Sequence, residues 1–178
     1  MSALHDKYWY ALHVRSRHEK TVHAQLEAKD QDVFLPLYSV RNKWADRWRT
    51  VCLPLFPGYV FCRFAVVARS SVLATSGVID VVRVGSEPAA IENSEIEAVQ
   101  LIVNAQVAAE PYSDLVQGQR VMLTDGPLSG LTGTLKSTRN TVRLVVSIEL
   151  LCRSVLVEID RDWVVPCEKP KTSDFRSW

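Results

Sequence analysis

The sequence predicts an α+β fold in which an N-terminal antiparallel sheet flanked by helices precedes a small β-barrel. Three observations predict it. Apolar and polar residues alternate over 8–14 (YWYALHV), which indicates a strand. Residues 16–29 and 93–108 have the apolar spacing of amphipathic helices. After residue 108 the chain contains only short apolar runs separated by turn residues, which is typical of a small barrel.

The strands that follow the first helix are indicated by apolar runs and by one turn signal. In the first strand, Tyr10, Leu12 and Val14 are expected to share one face. Residues 33–40 (VFLPLYSV) predict a second strand. Residues 41–50 are polar and basic, and we expect a hairpin extension or a mobile loop there. A Pro-Gly pair at 57–58 favours a turn, so it divides the next apolar run into two extended pieces.

The rest of the N-terminal half predicts a short helix, a strand and a longer helix. The short helix covers 66–75, and a buried strand follows at 78–84 (VIDVVRV). Ser94 and Glu97 have capping-box spacing, which predicts that the longer helix begins there. The buried stripe of this helix is predicted to contain Ile96, Val99 and Val103.

The division into domains follows from the change of pattern near residue 108. We expect a first domain over 1–108, a polar linker over 109–114, a barrel over 115–167 and a loose polar tail over 168–178. The barrel opens with closely spaced glycines, as tight turns between short strands require. They are Gly118, Gly126, Gly130 and Gly133.

Charge is distributed unevenly along a chain whose net charge is only +1. Residues 15–69 contain ten Lys and Arg against five Asp and Glu, whereas 80–114 contain one against seven. The first region is therefore the better candidate for a nucleic-acid contact. Within it, basic residues alternate with aromatic ones, as in proteins that bind single strands, although a solvated surface would have the same composition. These residues are Arg41, Lys43, Trp44, Arg47, Trp48 and Arg49.

Composition argues against an enzyme, a metal site and a membrane protein. No Ser-His-Asp, paired-carboxylate or phosphate-loop arrangement is present, and all four histidines precede residue 24. We therefore expect no catalytic residue and no cofactor. The cysteines form no CxxC pair and are expected to be buried, reduced thiols, so no metal is expected. They are Cys52, Cys62, Cys152 and Cys167. The absence of a long apolar run predicts no membrane span and a cytoplasmic protein.

Four segments of the N-terminal half, taken in order, resemble the N-terminal (NGN) domain of the NusG family. They are WYALHVRSRHEKTVHAQL, FLPLY, LPLFPGYVF and GVIDVVRVG. The glycine pattern of the C-terminal half resembles the KOW motif of SH3-like barrels. This resemblance implies a transcription elongation or antitermination factor that binds RNA polymerase and suppresses pausing or termination.

The resemblance also implies roles for individual residues. The residues expected at the clamp helices of RNA polymerase are Trp9, Tyr10, Phe56, Pro57 and Tyr59. Those expected at the gate loop are Arg69, Ser70 and Ser71. Those expected at the non-template DNA strand are Arg15, Arg17 and His18. Those expected to bind Rho or the ribosomal protein NusE through the barrel are Ile148, Leu150 and Leu151.

Alternatives remain at the level of the sequence. The segment 39–59 looks more like the specialised UpxY-type paralogues, which act on selected long operons, than like a housekeeping NusG. A general NusG and a ribosome-associated RNA-binding protein are the other candidates. The barrel segment 115–167 has a net charge of only +1, which disfavours RNA binding. Each aromatic near the Pro-Gly pair also fits an ordinary core position.

Overall fold

The computed structural model describes residues 6–44, 47–112, 118–137, 142–148 and 151–167. The N-terminal half consists of β1 (Lys7–Val14), α1 (Glu19–Glu27), β2 (Asp32–Phe34), β3 (Leu37–Trp44), β4 (Arg47–Pro54), β5 (Tyr59–Ala65), α2 (Arg69–Leu73), β6 (Val78–Val81), β7 (Arg83–Val84), β8 (Glu87–Pro88), β9 (Ala90–Ile91) and α3 (Asn93–Asn104). The C-terminal half consists of β10 (Ala109–Tyr112), β11 (Arg120–Leu123), β12 (Thr132–Ser137), β13 (Val142–Ile148), β14 (Arg153–Ile159) and β15 (Val164–Pro166). The expected α+β fold class is confirmed.

The N-terminal sheet is antiparallel and has the order β2-β5-β1-β6, with β9 also paired to β1. Alternation along β1 places its side chains in two separate cores, as the sequence predicted. Trp9 and Ala11 belong to the core that contains α3, whereas Tyr10, Leu12 and Val14 belong to the core beneath α1 and α2. Helices cover both faces of the sheet, so both sets of side chains are buried.

The helices begin and end at positions that differ from the prediction. The helix α1 starts at Glu19 rather than near Ser16, because Arg17 has a φ of 66° and the chain turns there. The helix α3 starts at Asn93 with Glu92 as its N-cap and no side-chain cap hydrogen bond, so the predicted capping box is wrong. The buried residue in its last turn is Ile102 and not Val103, which is only partly buried.

The basic segment forms a hairpin, which confirms one of the two expectations. Strands β3 and β4 form a separate two-stranded sheet. Leu37 is opposite Pro54 at one end of this sheet, and Trp44 is opposite Arg47 at the other. We call residues 37–54 the basic hairpin. The predicted second strand is two strands, because buried Pro36 lacks an N–H and lies between β2 and β3.

The predicted buried strand at 78–84 is also shorter than expected. β6 ends at Val81, and β7 pairs with β8 in a small ribbon of its own. Val84, at the end of β7, has 69% of its surface exposed, so this part of the prediction is wrong.

The C-terminal half forms a six-stranded antiparallel sheet in the order β10-β14-β13-β12-β11-β15. The segment 109–114 was expected to be a linker, but Ala109–Tyr112 is β10 and pairs with β14. The next five residues, like the predicted tail at 168–178, lie outside the described residues. The strands β12 and β13 pair with each other in antiparallel orientation. Gly126 lies against Trp163, where an added Cβ would be 2.7 Å from the ring.

The two halves pack against each other through α3 and β13. Val145 and Leu156 are paired across β13 and β14 and are 2% and 4% exposed. Alternation directs them away from the barrel interior, which contains Leu144 and Val155. The outer face of the barrel is therefore covered at this point.

Candidate functional site

A tight turn connects β4 with β5 at Leu55–Tyr59, and we call it the β4–β5 turn. The Tyr59 amide donates a hydrogen bond to the Phe56 carbonyl at 3.1 Å, which closes a four-residue turn. Pro57 occupies the second position and Gly58 the third, with a φ of 84°. A positive φ at the third position defines a type II turn, which is the reason for glycine there.

Two contacts attach this turn to the rest of the sheet. The Gly58 amide donates a hydrogen bond to the Glu19 carboxylate at 2.9 Å, and the Gly58 carbonyl accepts one from the Val14 amide at 2.9 Å. Glu19 is only 7% exposed and lies in the first turn of α1. The sequence analysis missed Glu19, because an acidic residue in a first helical turn ordinarily indicates only a favourable dipole interaction.

Three of the aromatic residues expected at the surface lie in the core. Phe56 is 1% exposed and meets Phe61 edge to face, with ring centroids 5.4 Å apart. Trp9 and Tyr10 are 7% and 3% exposed, on opposite faces of the sheet. Burial raises the pKa of Tyr10, and the neighbouring Tyr8 raises it further. These side chains are buried because both faces of the sheet are covered.

The accessible part of the turn consists of Pro57, which is exposed, and Tyr59, which is half-buried. The Tyr59 ring lies 5.6 Å from the ring of His13, its partner in the β1–β5 register. His13 is exposed and was not among the expected site residues. Its position opposite Tyr59 depends on strand pairing, so only the register could have indicated it. The surface next to the turn is therefore formed by Pro57, Tyr59 and His13.

The loop between β1 and α1 brings together the three residues expected to contact DNA. Arg15, Arg17 and His18 are all exposed. The Arg15 amide donates a hydrogen bond to the Gly77 carbonyl at 2.8 Å, and the His18 amide donates to the Arg15 carbonyl at 3.0 Å. These backbone bonds fix the loop while its side chains remain in solvent. We call Arg15, Arg17 and His18 the cationic loop.

The residues expected at a gate loop form the first turn of α2. Ser70 and Ser71 are exposed, whereas Arg69 is partly buried and lies 4.0 Å from Asp80. Asp80 also accepts a hydrogen bond from Arg83 at 2.6 Å. The Arg69 guanidinium is therefore held by an intramolecular carboxylate, and the two serines are the more accessible part of this element.

The barrel residues expected to contact a partner are not at the surface. Ile148 is fully buried and Leu151 is 9% exposed, and both belong to the apolar core. Leu150 lies outside the described residues. Ile148 ends β13 with its side chain on the inner face, beside Leu144 and Val146, so alternation explains its burial.

The prediction that all four cysteines are buried is wrong for most of them. Cys62 is fully buried, Cys167 is half-buried, and Cys52 and Cys152 are exposed. Burial raises the pKa of the Cys62 thiol to about 12, with a smaller contribution from Asp32. Cys52 belongs to the basic hairpin, whose two strands pair only with each other and not with the main sheet.

The described residues contain neither a metal-binding cluster nor a membrane-spanning helix. Within those ranges, no group of three or more His, Cys, Asp and Glu side chains is arranged to hold a metal ion. In the same part of the chain, no helix has the length and apolar character needed to cross a bilayer.

Comparison with known proteins gives one consistent family. Residues 7–100 match the family described as transcription termination factor nusG. The transcription termination/antitermination protein NusG of Rickettsia felis is 25% identical over 167 residues, covering 86% of this chain and 87% of that protein. The NusG of Halalkalibacterium halodurans is 22% identical over 170 residues, covering 87% and 96%.

One solved structure agrees with respect to the fold. A structure described as the domain interaction in Thermotoga maritima NusG superimposes with a TM-score of 0.57 at 21% identity, covering 92% of this chain and 98% of that one. The family match includes all strands of the N-terminal sheet and the β4–β5 turn. The chain therefore belongs to the NusG family of transcription termination and antitermination factors, whose members are not enzymes.

Proposed function

We propose that this protein binds RNA polymerase through the surface next to the β4–β5 turn and acts in the cytoplasm as an elongation or antitermination factor. The observation that carries the proposal is the construction of the turn within a NusG-family sheet. A type II turn attached to α1 by Glu19 presents Pro57 and Tyr59 at the start of β5, an inner strand of the sheet. An exposed proline beside an aromatic ring and an imidazole suits a helical partner, because rigid rings lose little entropy on binding.

In this proposal, the buried aromatics have an indirect role at the clamp helices. Phe56, Trp9 and Tyr10 form the packing beneath the contact surface rather than the surface itself. The direct contacts come from Pro57 and Tyr59, with His13 as an addition to the expected set.

Two further contacts with the transcription complex are part of the proposal. The exposed serines of α2, Ser70 and Ser71, meet the gate loop, and Arg69 supports them through its ion pair with Asp80. The cationic loop meets the displaced non-template strand, because its exposed positive groups match phosphate charge. Contacts on both sides of the DNA-binding cleft of RNA polymerase would favour its closed, transcribing state, because the protein would bind that state more tightly than the open one.

The barrel takes part in this proposal in two ways. A cleft of about 120 Å³ separates it from the turn and is lined by Leu55, Pro57, Pro111 and Tyr112, together with Arg153 and Ser154. A partner that contacts Pro57 from this side would therefore also meet Pro111 and Tyr112 of β10. Rho or NusE would bind the barrel through exposed residues such as Met122 and Val165 rather than through Ile148 and Leu151.

We further propose that the protein acts on selected long operons, as the UpxY-type paralogues do. The likeness of the segment 39–59 supports this proposal. A ribosome-associated function is less well supported, because the barrel segment 115–167 has a net charge of only +1. Genome-wide occupancy measured together with polymerase separates the options: a few occupied operons support specialisation, and uniform occupancy contradicts it.

The binding surface is tested with a clamp-helix fragment of RNA polymerase and the full-length protein. We expect Tyr59→Ala to weaken binding by about tenfold or more, as for an aromatic at the centre of an interface. Tyr8→Ala is the matched control, because Tyr8 is 45% exposed on the opposite face of the same sheet. Equal loss of binding in both variants, or no loss in either, would contradict the proposed surface.

A further inference from the structure

The basic hairpin carries an exposed aromatic side chain that the contacts described above do not use. Trp48 is 60% exposed, the largest exposed fraction of any aromatic among the described side chains. The Arg41 guanidinium lies over the Trp48 ring, 5.3 Å from its centroid. With Arg41 against the ring, 60% of the Trp48 surface is still exposed and accessible to a planar ligand.

The charge of the hairpin is strongly positive and, in the described residues, uncompensated. Residues 37–54 contain four Lys and Arg and one carboxylate, Asp46, which gives a net charge of +3. Within the part of the chain that the structure describes, no carboxylate lies within ion-pair distance of Arg41, Arg47 or Arg49. Positive groups exposed to solvent fit an anionic ligand.

The strand register places the aromatic and the cationic positions on the same face. Lys43 is opposite Trp48, and Arg41 is opposite Thr50. In an antiparallel pair, directly opposite residues share a face, and so do residues two positions apart along a strand. Arg41, Trp48 and Thr50 therefore belong to one face of the hairpin. We call it the Trp48 face.

The hairpin is continuous with the cationic loop. The Lys20 ammonium of α1 donates a hydrogen bond to the Cys52 carbonyl of β4 at 2.8 Å. Lys20 is itself exposed and follows His18 by two positions. Positive groups consequently extend from the start of α1, across this hydrogen bond, to the hairpin.

We propose that the Trp48 face binds single-stranded DNA, with an unpaired base stacked on Trp48 and phosphates neutralised by Arg41 and the neighbouring cations. A single strand is favoured over a duplex because only unpaired bases offer a free face to the indole. DNA is favoured over RNA because the Trp48 face is continuous with the cationic loop, which is proposed to contact the non-template DNA strand. The choice of DNA therefore rests on the proposed function. The hairpin extends the path of the displaced strand beyond Arg15, Arg17 and His18.

Binding is tested with the full-length protein and a fluorescent oligothymidylate, by anisotropy over a range of salt concentrations. We expect Trp48→Ala to weaken binding roughly 5- to 150-fold, the range for loss of one stacked base. Trp48→Phe should restore most of the affinity, because a benzyl ring still stacks. Arg41→Ala should lower the slope of log K against log salt by about 0.7, which corresponds to one phosphate contact on a single strand.

The controls distinguish a local site from a loss of charge or of folding. Arg161→Ala removes one positive charge from an exposed turn of the barrel and should leave DNA affinity unchanged. Thermal melting checks that each variant is folded. Unchanged affinity in Trp48→Ala overturns the proposal, and so does tighter binding to oligouridylate or to duplex DNA than to oligothymidylate.

The same variants separate this inference from the proposed function. Binding of the clamp-helix fragment should be unaffected by Trp48→Ala, because the Trp48 face is distinct from Pro57 and Tyr59. Loss of clamp-helix binding only in Tyr59→Ala, together with no DNA binding by the wild type, would retain the polymerase surface and overturn the DNA site.

Discussion

The basic hairpin and the β4–β5 turn are adjacent in the chain and both contain aromatic residues, but these residues differ in their exposure to solvent. In the turn, Phe56 is 1% exposed and packs against Phe61. In the hairpin, Trp48 is 60% exposed and its described ring contact is with Arg41. The difference arises because the turn is attached to the main sheet by Glu19, whereas β3 and β4 pair only with each other.

This comparison shows that an aromatic residue near a functional segment has two different physical roles. A buried ring supports the shape of the contact surface, and its removal is expected to cost stability. An exposed ring contributes contacts of its own, and its removal is expected to cost only binding. Substitutions in the two segments should therefore affect different measurements.

The largest expected difference is between the reactivities of Cys62, which follows the turn, and Cys52, which lies in the hairpin. Cys62 is buried with its pKa raised to about 12, whereas Cys52 is exposed. In variants that retain only one of the two cysteines, a thiol reagent at pH 8 should modify Cys62 roughly a thousandfold or more slowly. Modification of Cys62 would require unfolding, which has a low equilibrium probability. Similar rates would contradict a rigid sheet at the turn.

Phe56→Ala is expected to lower the free energy of unfolding by about 3–5 kcal/mol, because it leaves a cavity beside Phe61. Urea denaturation of the wild type and the variant gives this value. Loss of clamp-helix binding should follow only to the extent that the protein unfolds. If Phe56→Ala remained fully stable but did not bind, Phe56 would be a direct contact residue instead.

Stability should also fall at alkaline pH because of Cys62. The folded pKa of about 12 lies above the ordinary thiol pKa of 9.0, so the folded state retains a proton that the unfolded state releases. The contribution is fully present below pH 9 and is lost between pH 9 and about 12, amounting to about 2 kcal/mol by pH 10.5. Urea denaturation at pH 8 and 10.5 measures the decrease. Cys62→Ala should reduce it, and Cys52→Ala should not.

Glu19→Ala is expected to lower the free energy of unfolding by about 1–3 kcal/mol, because the partly buried Gly58 amide loses its acceptor. Glu19→Gln keeps an acceptor oxygen and should be closer to the wild type. Thermal unfolding compares the two variants. A decrease of equal size in both would indicate that the negative charge, and not the hydrogen bond, holds the turn.

Trp48→Ala should have the smallest effect on stability, within about 0.5 kcal/mol of the wild type, because an exposed side chain has few packing contacts. Thermal unfolding is the measurement. A decrease comparable to that of Phe56→Ala would show that the hairpin packs on another part of the chain, and the Trp48 face would then not be free.

Local pattern was sufficient for those features that depend on neighbouring residues. The alternation along β1 and the Pro-Gly pair predicted the faces of the first strand and the position of the turn. For residues 41–50 the sequence left two expectations open, a hairpin extension and a mobile loop, and the hairpin is the one observed. The errors lie at element ends and in burial. The predicted capping box at Ser94 is wrong, because α3 begins one residue earlier, at Asn93. The predicted linker contains β10, because residues 109–112 pair with β14, and no local pattern reveals this pairing.

The sequence by itself determined the α+β fold class, since hydrophobic periodicity and turn chemistry are local properties of the chain. The resemblance to NusG came separately, from four segments of the N-terminal half and the glycine pattern of the C-terminal half. Only the tertiary structure decided which of the candidate residues are accessible. Phe56 and Ile148 are buried because segments distant in sequence cover them. His13 lies beside Tyr59 because β1 and β5 pair in the register that places these two residues opposite each other. The packing of α3 on β13 likewise depends on contacts between residues far apart in sequence.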